Sequence, residues 1–207
     1  MGEKGVILLT GYEAFGEFEV NPSITVCNRL KGKTFNGYRA VVKEIPMRFQ
    51  EVRGVIESHL ERYRPAAVVC TGVSGAGASI AVERVAINVF DARGRNVMGK
   101  VSPDQLLREG GPAAYFTTLP FREILAALKE AKIPAALSNS AGTVGCNQIF
   151  YHLMDYLARE GIDIPAGFVH VPRLPEQALR KRTPSMSLEL SARALEIVVG
   201  AIAAKLG

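Results

Sequence analysis

The feature that most limits the fold is an alternation of short β-branched runs with amphipathic helical patterns along the chain. Val6–Thr10, Tyr38–Ile45 and Ala67–Thr71 are the first three such runs, and their length suits buried strands. Apolar residues recur at helical spacing over Phe49–Tyr63, and Asn21-Pro-Ser23 has the cap and the proline of another helix start. Since strands that alternate with helices join through crossovers, the pattern predicts an α/β fold with a largely parallel sheet.

The second half of the chain continues this alternation. Apolar runs at Pro134–Ser138 and Gly167–Val171 predict two further strands, whereas Phe121–Ala131 and Ser187–Leu206 have the periodicity of amphipathic helices. The segment Ile80–Val89 alternates and is rich in β-branched residues, so it predicts a strand rather than a helix.

A glycine-rich loop, Gly72–Gly77, raises the question of nucleotide binding. A loop that cradles phosphates opens a helix whose N-terminal N–H groups face the anion. The predicted strand that follows this loop fails that test, so we do not expect a nucleotide site. Residues 90–120 are rich in glycine and proline and predict a hairpin or loop excursion near a site. The sequence leaves open whether residues 90–112 act as a lid.

Composition bounds the class of protein. The 207 residues are 48% apolar and 22% charged, which predicts one globular domain over residues 1–207. There is no apolar run of about 18 residues and no signal peptide, so we expect a cytoplasmic protein without a membrane partner. The net charge of +5 is scattered, and only Arg180-Lys-Arg182 forms a basic cluster, so we expect no nucleic-acid partner.

Three cysteines, Cys27, Cys70 and Cys146, lack the spacing of a disulfide framework or a zinc site. Cys27 lies in a predicted helix and Cys70 in a predicted buried strand, so both are expected in the core. Cys146 differs because it follows a turn of small residues, 139–145, and begins a long helical pattern. A helix N-terminus favours thiolate over thiol and can hold an oxyanion, so Cys146 is the candidate nucleophile.

A nucleophilic thiol needs a base and an orienting acid, and the chain has three histidines. We expect His59 to be exposed on its helix, and His152 lies two turns beyond Cys146. His170 is the candidate base, because it lies near the carboxyl end of a predicted strand, where ligand sites of α/β sheets gather. Glu83 interrupts an apolar strand pattern and is the candidate acid.

Each of these three residues also has a structural interpretation. Cys146 has the size and polarity of a buried hydrophobic residue, and His170 suits a satisfied core position. Glu83 has a neighbouring partner for an ordinary ion pair in Arg84. The sequence pattern by itself leaves both interpretations open for each residue.

Several segments together resemble the pyroglutamyl-peptidase I family, also called pyrrolidone-carboxylate peptidase. The resemblance covers nearly the whole chain, and the order and spacing of its segments are more specific than any one of them. The matching segments are Thr10-Gly-Tyr-Glu-Ala-Phe-Gly16, Asn21-Pro-Ser23, Glu83-Arg-Val-Ala-Ile-Asn88, Gly111-Pro-Ala-Ala-Tyr-Phe-Thr-Thr-Leu-Pro120, Ser138-Asn-Ser-Ala-Gly142 with Cys146-Asn147, and Gly167-Phe-Val-His-Val-Pro172 with Leu174-Pro-Glu-Gln177.

The resemblance implies a cysteine peptidase that removes an N-terminal pyroglutamyl residue from peptides through a thioester. The family's catalytic glutamate, cysteine and histidine correspond to Glu83, Cys146 and His170. The remaining implied residues hold the substrate, and they are Tyr12 and Phe15 as ring-binding aromatics and Val73 as a backbone acceptor. The implied fold is a three-layer α/β/α sandwich with a mixed, largely parallel sheet. The implied assembly is a cytosolic homotetramer without metal or organic cofactor.

The chain departs from the family pattern at several positions near these residues, which are Ala14, Glu17, Ala78, Ala81, Val144, Gly145 and Arg173. Smaller residues before the nucleophile bear on the turn beneath it, and thus on turnover and pocket shape. Two other functions therefore stay open, a related cysteine amidase with another small acyl group and an inactive protein that binds lactams or peptides. A basic nucleic-acid module is the least favoured alternative.

Overall fold

The computed structural model describes residues 2–14, 19–74, 77–92, 104–179 and 182–207. The strands are β1 (Gly5–Tyr12), β2 (Thr34–Phe35), β3 (Tyr38–Ile45), β4 (Ala67–Ser74), β5 (Ile80–Glu83), β6 (Val85–Ile87), β7 (Ala114–Phe116), β8 (Ala135–Ser138) and β9 (Ala166–Pro172). The helices are α1 (Pro22–Asn28), α2 (Phe49–Tyr63), α3 (Phe121–Glu130), α4 (Gly145–Glu160), α5 (Pro175–Ala178) and α6 (Leu188–Lys205). Most of these elements begin and end within a few residues of the predicted bounds.

Seven of the described strands form the central sheet, in the order β2-β3-β1-β4-β9-β5-β8. Strands β3, β1, β4 and β9 are mutually parallel, whereas β5 runs antiparallel to β9 and β8 is parallel to β5. The short strand β2 is antiparallel to β3. The prediction of a mixed, largely parallel sheet is therefore confirmed.

Helices cover both faces of this sheet. The core on one face includes buried side chains of α1, α3 and α6, such as Val26, Ile124 and Leu195. The core on the other face includes side chains of α2 and α4, such as Ile56 and Leu153. Each fully buried side chain of this kind contributes about 1.5–3 kcal/mol of transfer free energy. The architecture is the expected three-layer α/β/α sandwich.

Local signals explain where two of the helices begin. The Asn21 side chain accepts a hydrogen bond from the Ser23 N–H at 3.0 Å, and Pro22 occupies the first position of α1, where a missing N–H costs nothing. The Ser187 hydroxyl accepts a hydrogen bond from the Leu190 N–H at the start of α6. Both starts agree with the sequence prediction.

The segment predicted as one strand over Ile80–Val89 is divided into two. The chain leaves the central sheet at Arg84, whose N–H donates to the Ser138 carbonyl and whose own carbonyl accepts from the Thr117 N–H. Strand β6 then pairs antiparallel with β7 in a separate two-stranded sheet. Strand β7 lies in the predicted excursion, whereas β6 precedes it. Residues 93–103, about half of the lid candidate 90–112, lie outside the described residues.

None of the helices that the structure describes is long and apolar enough to cross a membrane.

Candidate active site

Cys146 is the second residue of α4, at the point where the loop after β8 turns into the helix. Val144 occupies the cap position in an extended conformation and forms no side-chain cap hydrogen bond. Because valine has no hydrogen-bonding side chain, the first N–H groups of α4 keep their capacity for an anion. The Cys146 side chain is partly exposed, whereas Cys27 and Cys70 are buried.

His170 and Glu83 face each other from neighbouring strands. In the register of β5 and β9, Glu83 lies opposite Phe168, and His170 is two residues further along, so all three side chains share one face. The His170 Nδ1 and the Glu83 Oε1 are 2.7 Å apart. Glu83 is therefore the partner of His170, and the alternative pairing with Arg84 is wrong, because the guanidinium of Arg84 lies over the Phe121 ring instead.

The charge state of His170 depends on its two neighbours. Burial alone lowers the pKa of the imidazole, but the charge and the hydrogen bond of Cys146, followed by those of Glu83, raise it from 6.5 to about 10. Because Nδ1 faces Glu83, the other ring nitrogen, Nε2, is the one left for the sulfur. The arrangement favours the protonated, imidazolium form of His170 at neutral pH.

Strand β4 passes directly beneath the sulfur. A Cβ placed on Gly72 would lie 2.8 Å from the Cys146 Sγ and 2.8 Å from the Phe168 ring, so a larger residue here must displace one of them. In the sheet register Gly72 lies opposite His170. The sequence analysis treated this glycine only as part of a loop, because the close approach of two distant segments leaves no local signal.

Tyr12, at the end of β1, touches the turn that carries the nucleophile. Its hydroxyl donates to the Gly145 carbonyl at 2.5 Å, and its N–H donates to the Ser23 hydroxyl. Burial raises the pKa of the Tyr12 phenol, and the nearby Cys146 charge raises it further, so the ring stays neutral. Tyr12, which the family resemblance makes a wall of the substrate pocket, thus also donates a hydrogen bond to the helix N-terminus. The sequence did not reveal this bond.

The other expected substrate residues have simpler positions. Val73 follows Gly72 in β4, is half-buried and pairs in register with Val171. Phe15 lies outside the described residues, as does Glu17 among the departures. Of the remaining departures, Ala81 pairs with His170.

The other two histidines and the other two cysteines lack the features of the site. Burial lowers the pKa of His152 to about 4 and raises the pKa values of Cys27 and Cys70 to about 12. The prediction that these cysteines belong to the core is confirmed. The prediction that His59 is exposed is wrong, because its ring is half-buried with Nε2 enclosed.

In the sequence, Asn147 stands out only as part of the Cys146-Asn147 motif. Its side-chain amide donates to the carbonyls of Ile87 and Val89 at 2.9 and 3.0 Å and accepts from the Ile87 N–H at 2.9 Å. The side chain therefore ties the residue directly after the nucleophile to β6, the strand that follows Glu83. Among the described residues, no group of three or more His, Cys, Asp or Glu side chains is arranged to hold a metal ion.

Comparison with known proteins gives one consistent result. The family profile for pyroglutamyl peptidase matches residues 5–205. The chain is 42% identical to the pyrrolidone-carboxylate peptidase of Thermococcus onnurineus over 193 residues, which are 93% of this chain and 96% of that protein. It is 41% identical to the enzyme of that name from Bacillus licheniformis over 197 residues, which are 95% and 91% of the two chains.

Solved structures agree with the sequence relatives. The structure of pyroglutamyl peptidase I from Bacillus amyloliquefaciens has a TM-score of 0.93 and 38% identity, and the match covers 97% of this chain and 98% of that one. A mutant pyrrolidone carboxyl peptidase from Pyrococcus furiosus has a TM-score of 0.93 and 33% identity, with 98% and 100% covered. The chain described here belongs to the pyroglutamyl peptidase family.

Proposed function

We propose that this protein is a cysteine peptidase that hydrolyses the amide bond after an N-terminal pyroglutamyl residue, with Cys146 as nucleophile, His170 as acid and base, and Glu83 as orienting acid. The observation that carries the proposal is the 2.7 Å contact between Glu83 and the imidazole that faces Cys146. A nucleophile, a base and a group that orients the base are the parts that covalent acyl transfer requires. Family membership supports the choice of acyl group.

Acylation begins with attack of the Cys146 thiolate on the carbonyl carbon of the pyroglutamyl residue. A carbon–sulfur bond forms, and the carbonyl oxygen becomes an oxyanion that the uncapped N–H groups at the start of α4 stabilise. The carbon–nitrogen bond then breaks, and the His170 imidazolium gives its proton to the leaving amine. The products of this step are a thioester on Cys146 and a peptide shortened by one residue.

Deacylation uses the now neutral imidazole as a base. His170 takes a proton from a water molecule while the oxygen attacks the thioester carbon. The carbon–sulfur bond breaks, the Cys146 thiolate is restored, and pyroglutamate leaves. Glu83 stays ionised through both steps, because its role is to hold the imidazole tautomer and to stabilise the imidazolium.

Selectivity for pyroglutamate follows from its lack of charge. An ordinary N-terminus would bring an ammonium group against the buried Tyr12 ring, and an unpaired buried charge is costly. A lactam brings one N–H and one C=O instead. The family resemblance assigns the N–H to a backbone carbonyl near Val73 and adds Phe15 as a second aromatic wall.

A fluorogenic assay tests this function directly. We expect cleavage of pyroglutamyl-aminomethylcoumarin and at least about a hundredfold lower kcat/KM for the prolyl and alanyl analogues, since their ammonium groups are excluded. Comparable cleavage of all three substrates would contradict the hypothesis of a lactam-selective site. Cleavage of a different acyl group alone would favour the related amidase.

The Cys146→Ser variant separates an enzyme from a binding protein. We expect kcat to fall by about 10⁶-fold, as when the nucleophile of a catalytic triad is lost, while binding of a pyroglutamyl peptide persists. A wild-type protein that binds the peptide without cleaving it would support the inactive homologue.

We also propose that the chain acts as one catalytic unit over residues 1–207, as a homo-oligomer, in the cytoplasm. The extent of the family match, residues 5–205, supports the first part, and the resemblance to the family supports the others. Light scattering on the purified protein tests the expected tetramer, and a monomeric mass at micromolar concentration would exclude it.

A further inference from the structure

Asn147 forms a short bridge between α4, the helix that carries the nucleophile, and β6, the strand that follows the acid in the chain. It is the third residue of α4 and follows Cys146 directly, and its three hydrogen bonds go to the backbone of residues 87 and 89. Ile87 is four residues beyond Glu83 in the same extended segment. The chain therefore connects the two ends of the proposed triad through one side chain.

The chemistry of this bridge resembles a strand pairing. An amide side chain has the same donor and acceptor as a peptide group, so the Asn147 side chain satisfies both the N–H and the carbonyl of Ile87. The second donated bond goes to the Val89 carbonyl, two residues beyond Ile87. Asn147 is only 1% exposed, so water cannot replace these bonds.

Independent contacts hold the same two segments together on one side. The Thr143 hydroxyl, in the turn before α4, donates to the Asp91 carbonyl at 2.9 Å, and the Asp91 N–H donates to the Thr143 carbonyl at 2.8 Å. These bonds anchor the turn, but they lie farther along the chain from Glu83 than the Asn147 bonds do. Of these contacts, the Asn147 hydrogen bonds are thus the nearest along the chain to both Cys146 and Glu83.

We propose that Asn147 is a positioning residue, which sets the distance between Cys146 and the His170–Glu83 pair through its hydrogen bonds to Ile87 and Val89. Its three hydrogen bonds go to backbone groups and none goes to Cys146, His170 or Glu83. The inference rests on the proposed function, because it takes Cys146 as the nucleophile that His170 activates. A displacement of about 1 Å at such a site typically costs about a hundredfold in rate.

The chain offers a matched control in Asn88, on the same extended segment. Its side chain is 4% exposed, donates to the carbonyls of Arg108 and Gly111 at 2.8 and 3.4 Å, and accepts from the Arg108 N–H at 2.9 Å. Residue type, burial and the pattern of bonds match those of Asn147. Its partners belong to the excursion rather than to α4, so Asn88→Ala costs stability without moving the nucleophile.

The test compares Asn147→Ala and Asn147→Asp with Asn88→Ala. The aspartate keeps the shape of the side chain and the acceptor for the Ile87 N–H, but it loses both donated bonds. We expect kcat to fall about a hundredfold in both Asn147 variants, with KM within about threefold of wild type. Asn88→Ala, at a similar loss of thermal stability, should keep the wild-type kcat.

A second readout needs no substrate. Iodoacetamide alkylation of Cys146, followed by mass spectrometry between pH 5 and pH 9, reports how strongly His170 activates the sulfur. We expect the alkylation rate at pH 6 to fall about tenfold or more in both Asn147 variants, since an imidazolium moved away no longer stabilises the thiolate. Asn88→Ala should follow the wild-type profile.

Equal alkylation profiles for wild type and the folded Asn147 variants would overturn the proposal. Failure of both Asn147 variants to fold, while Asn88→Ala folds, would also overturn it, because the side chain would then serve the fold as a whole. If the wild-type protein cleaves no pyroglutamyl substrate but the alkylation differences appear, the proposed function fails and the positioning role of Asn147 stands.

Discussion

Glu83 and Asp155 are two buried carboxylates, each 1% exposed, whose surroundings differ in kind. Asp155 lies in the middle of α4 and is fully compensated. Its Oδ1 accepts from the Arg108 guanidinium at 3.1 Å and from the Tyr115 hydroxyl at 2.8 Å, and its Oδ2 accepts from the Arg159 guanidinium at 3.1 Å. Both oxygens and the negative charge are thus accounted for.

Glu83 is compensated on one side only. Its Oε1 contacts His170, but its Oε2 has no hydrogen-bond partner among the residues that the structure describes. A carboxylate in this state is costly to bury, and its field acts mainly on the one group that it touches. These surroundings suit a stabilising role for Asp155, whereas those of Glu83 suit its proposed role of orienting an imidazole.

Of the two carboxylates, Glu83 should matter more to the reaction and less to the fold. We expect Glu83→Gln to lower kcat by about 10⁴-fold, because the imidazole loses its orientation and its counter-charge. The melting temperature should fall by less than in Asp155→Asn, since Glu83 compensates one charged group and Asp155 two. A Glu83→Gln variant with wild-type kcat and a lower melting temperature would show instead that Glu83 serves the fold.

Replacement of Asp155 should do the opposite. We expect Asp155→Asn to lower the free energy of unfolding by about 2–3 kcal/mol, because two guanidinium groups lose their counter-charge. Measured by urea denaturation, this value is smaller than for a fully enclosed pair, since the arginine side chains are 30% and 31% exposed. A kcat below about a third of the wild-type value at a temperature where the variant is folded would show that Asp155 also serves catalysis.

The histidines near the two carboxylates have pKa values shifted in opposite directions, although Asp155 itself raises the pKa of His152. The pKa of His170 is raised to about 10, so the folded protein holds a proton that the unfolded chain releases above 6.5. Its contribution to stability is complete below pH 6.5 and is lost as the pH rises through 10. The pKa of His152, near Asp155, is lowered by burial and by Arg53 to about 4, so stability falls as the pH drops from 6.5 through 4.

Urea unfolding between pH 4 and pH 10 measures how the free energy of unfolding falls at acid pH (the acid arm) and at alkaline pH (the alkaline arm). His152→Gln should flatten the acid arm and His170→Gln the alkaline arm, with each variant leaving the other arm in place. An NMR titration of Cys146→Ser should also show the His170 pKa below 10, because the thiolate charge is gone. An unchanged pKa would assign the shift to Glu83 alone.

Replacement of Tyr12 should have the smallest effect on activity, and Tyr12→Phe separates the contribution of the hydroxyl from that of the ring. We expect Tyr12→Phe to cost about 0.5–1.5 kcal/mol in activation free energy, seen as a few-fold to about tenfold lower kcat, because the Gly145 carbonyl loses a hydrogen bond. KM for the pyroglutamyl substrate should stay near that of wild type, since the aromatic wall remains. A rise in KM with unchanged kcat would place the hydroxyl in substrate binding instead.

The parts of the molecule that depend on local chemistry were predictable from the sequence. The periodicities of strands and helices predict an α/β fold, and the turn of small residues before α4 indicates Cys146 as the candidate nucleophile. Elimination among three histidines makes His170 the candidate base, and Glu83 is the candidate acid because a carboxylate interrupts an apolar strand. The signals for Cys146 and Glu83 are local, whereas the choice of His170 compares positions along the whole chain.

The parts that depend on strand order were not predictable. Periodicity does not reveal that β5 runs antiparallel to β9, although this register brings Glu83 within reach of His170. Nor does it reveal that the chain changes sheets at Arg84, because the partner carbonyl and N–H come from residues 138 and 117. The Asn147 bridge and the Gly72 contact were missed for the same reason.

The contact of Gly72 with the Cys146 sulfur determines the side from which a scissile bond can arrive. The strand backbone fills the space beneath the sulfur, so an acyl carbon can approach only from the opposite hemisphere. That trajectory is imposed by the main chain, which keeps its path when pocket residues are exchanged. Variants with altered acyl preference should therefore all be acylated from the same side of the sulfur.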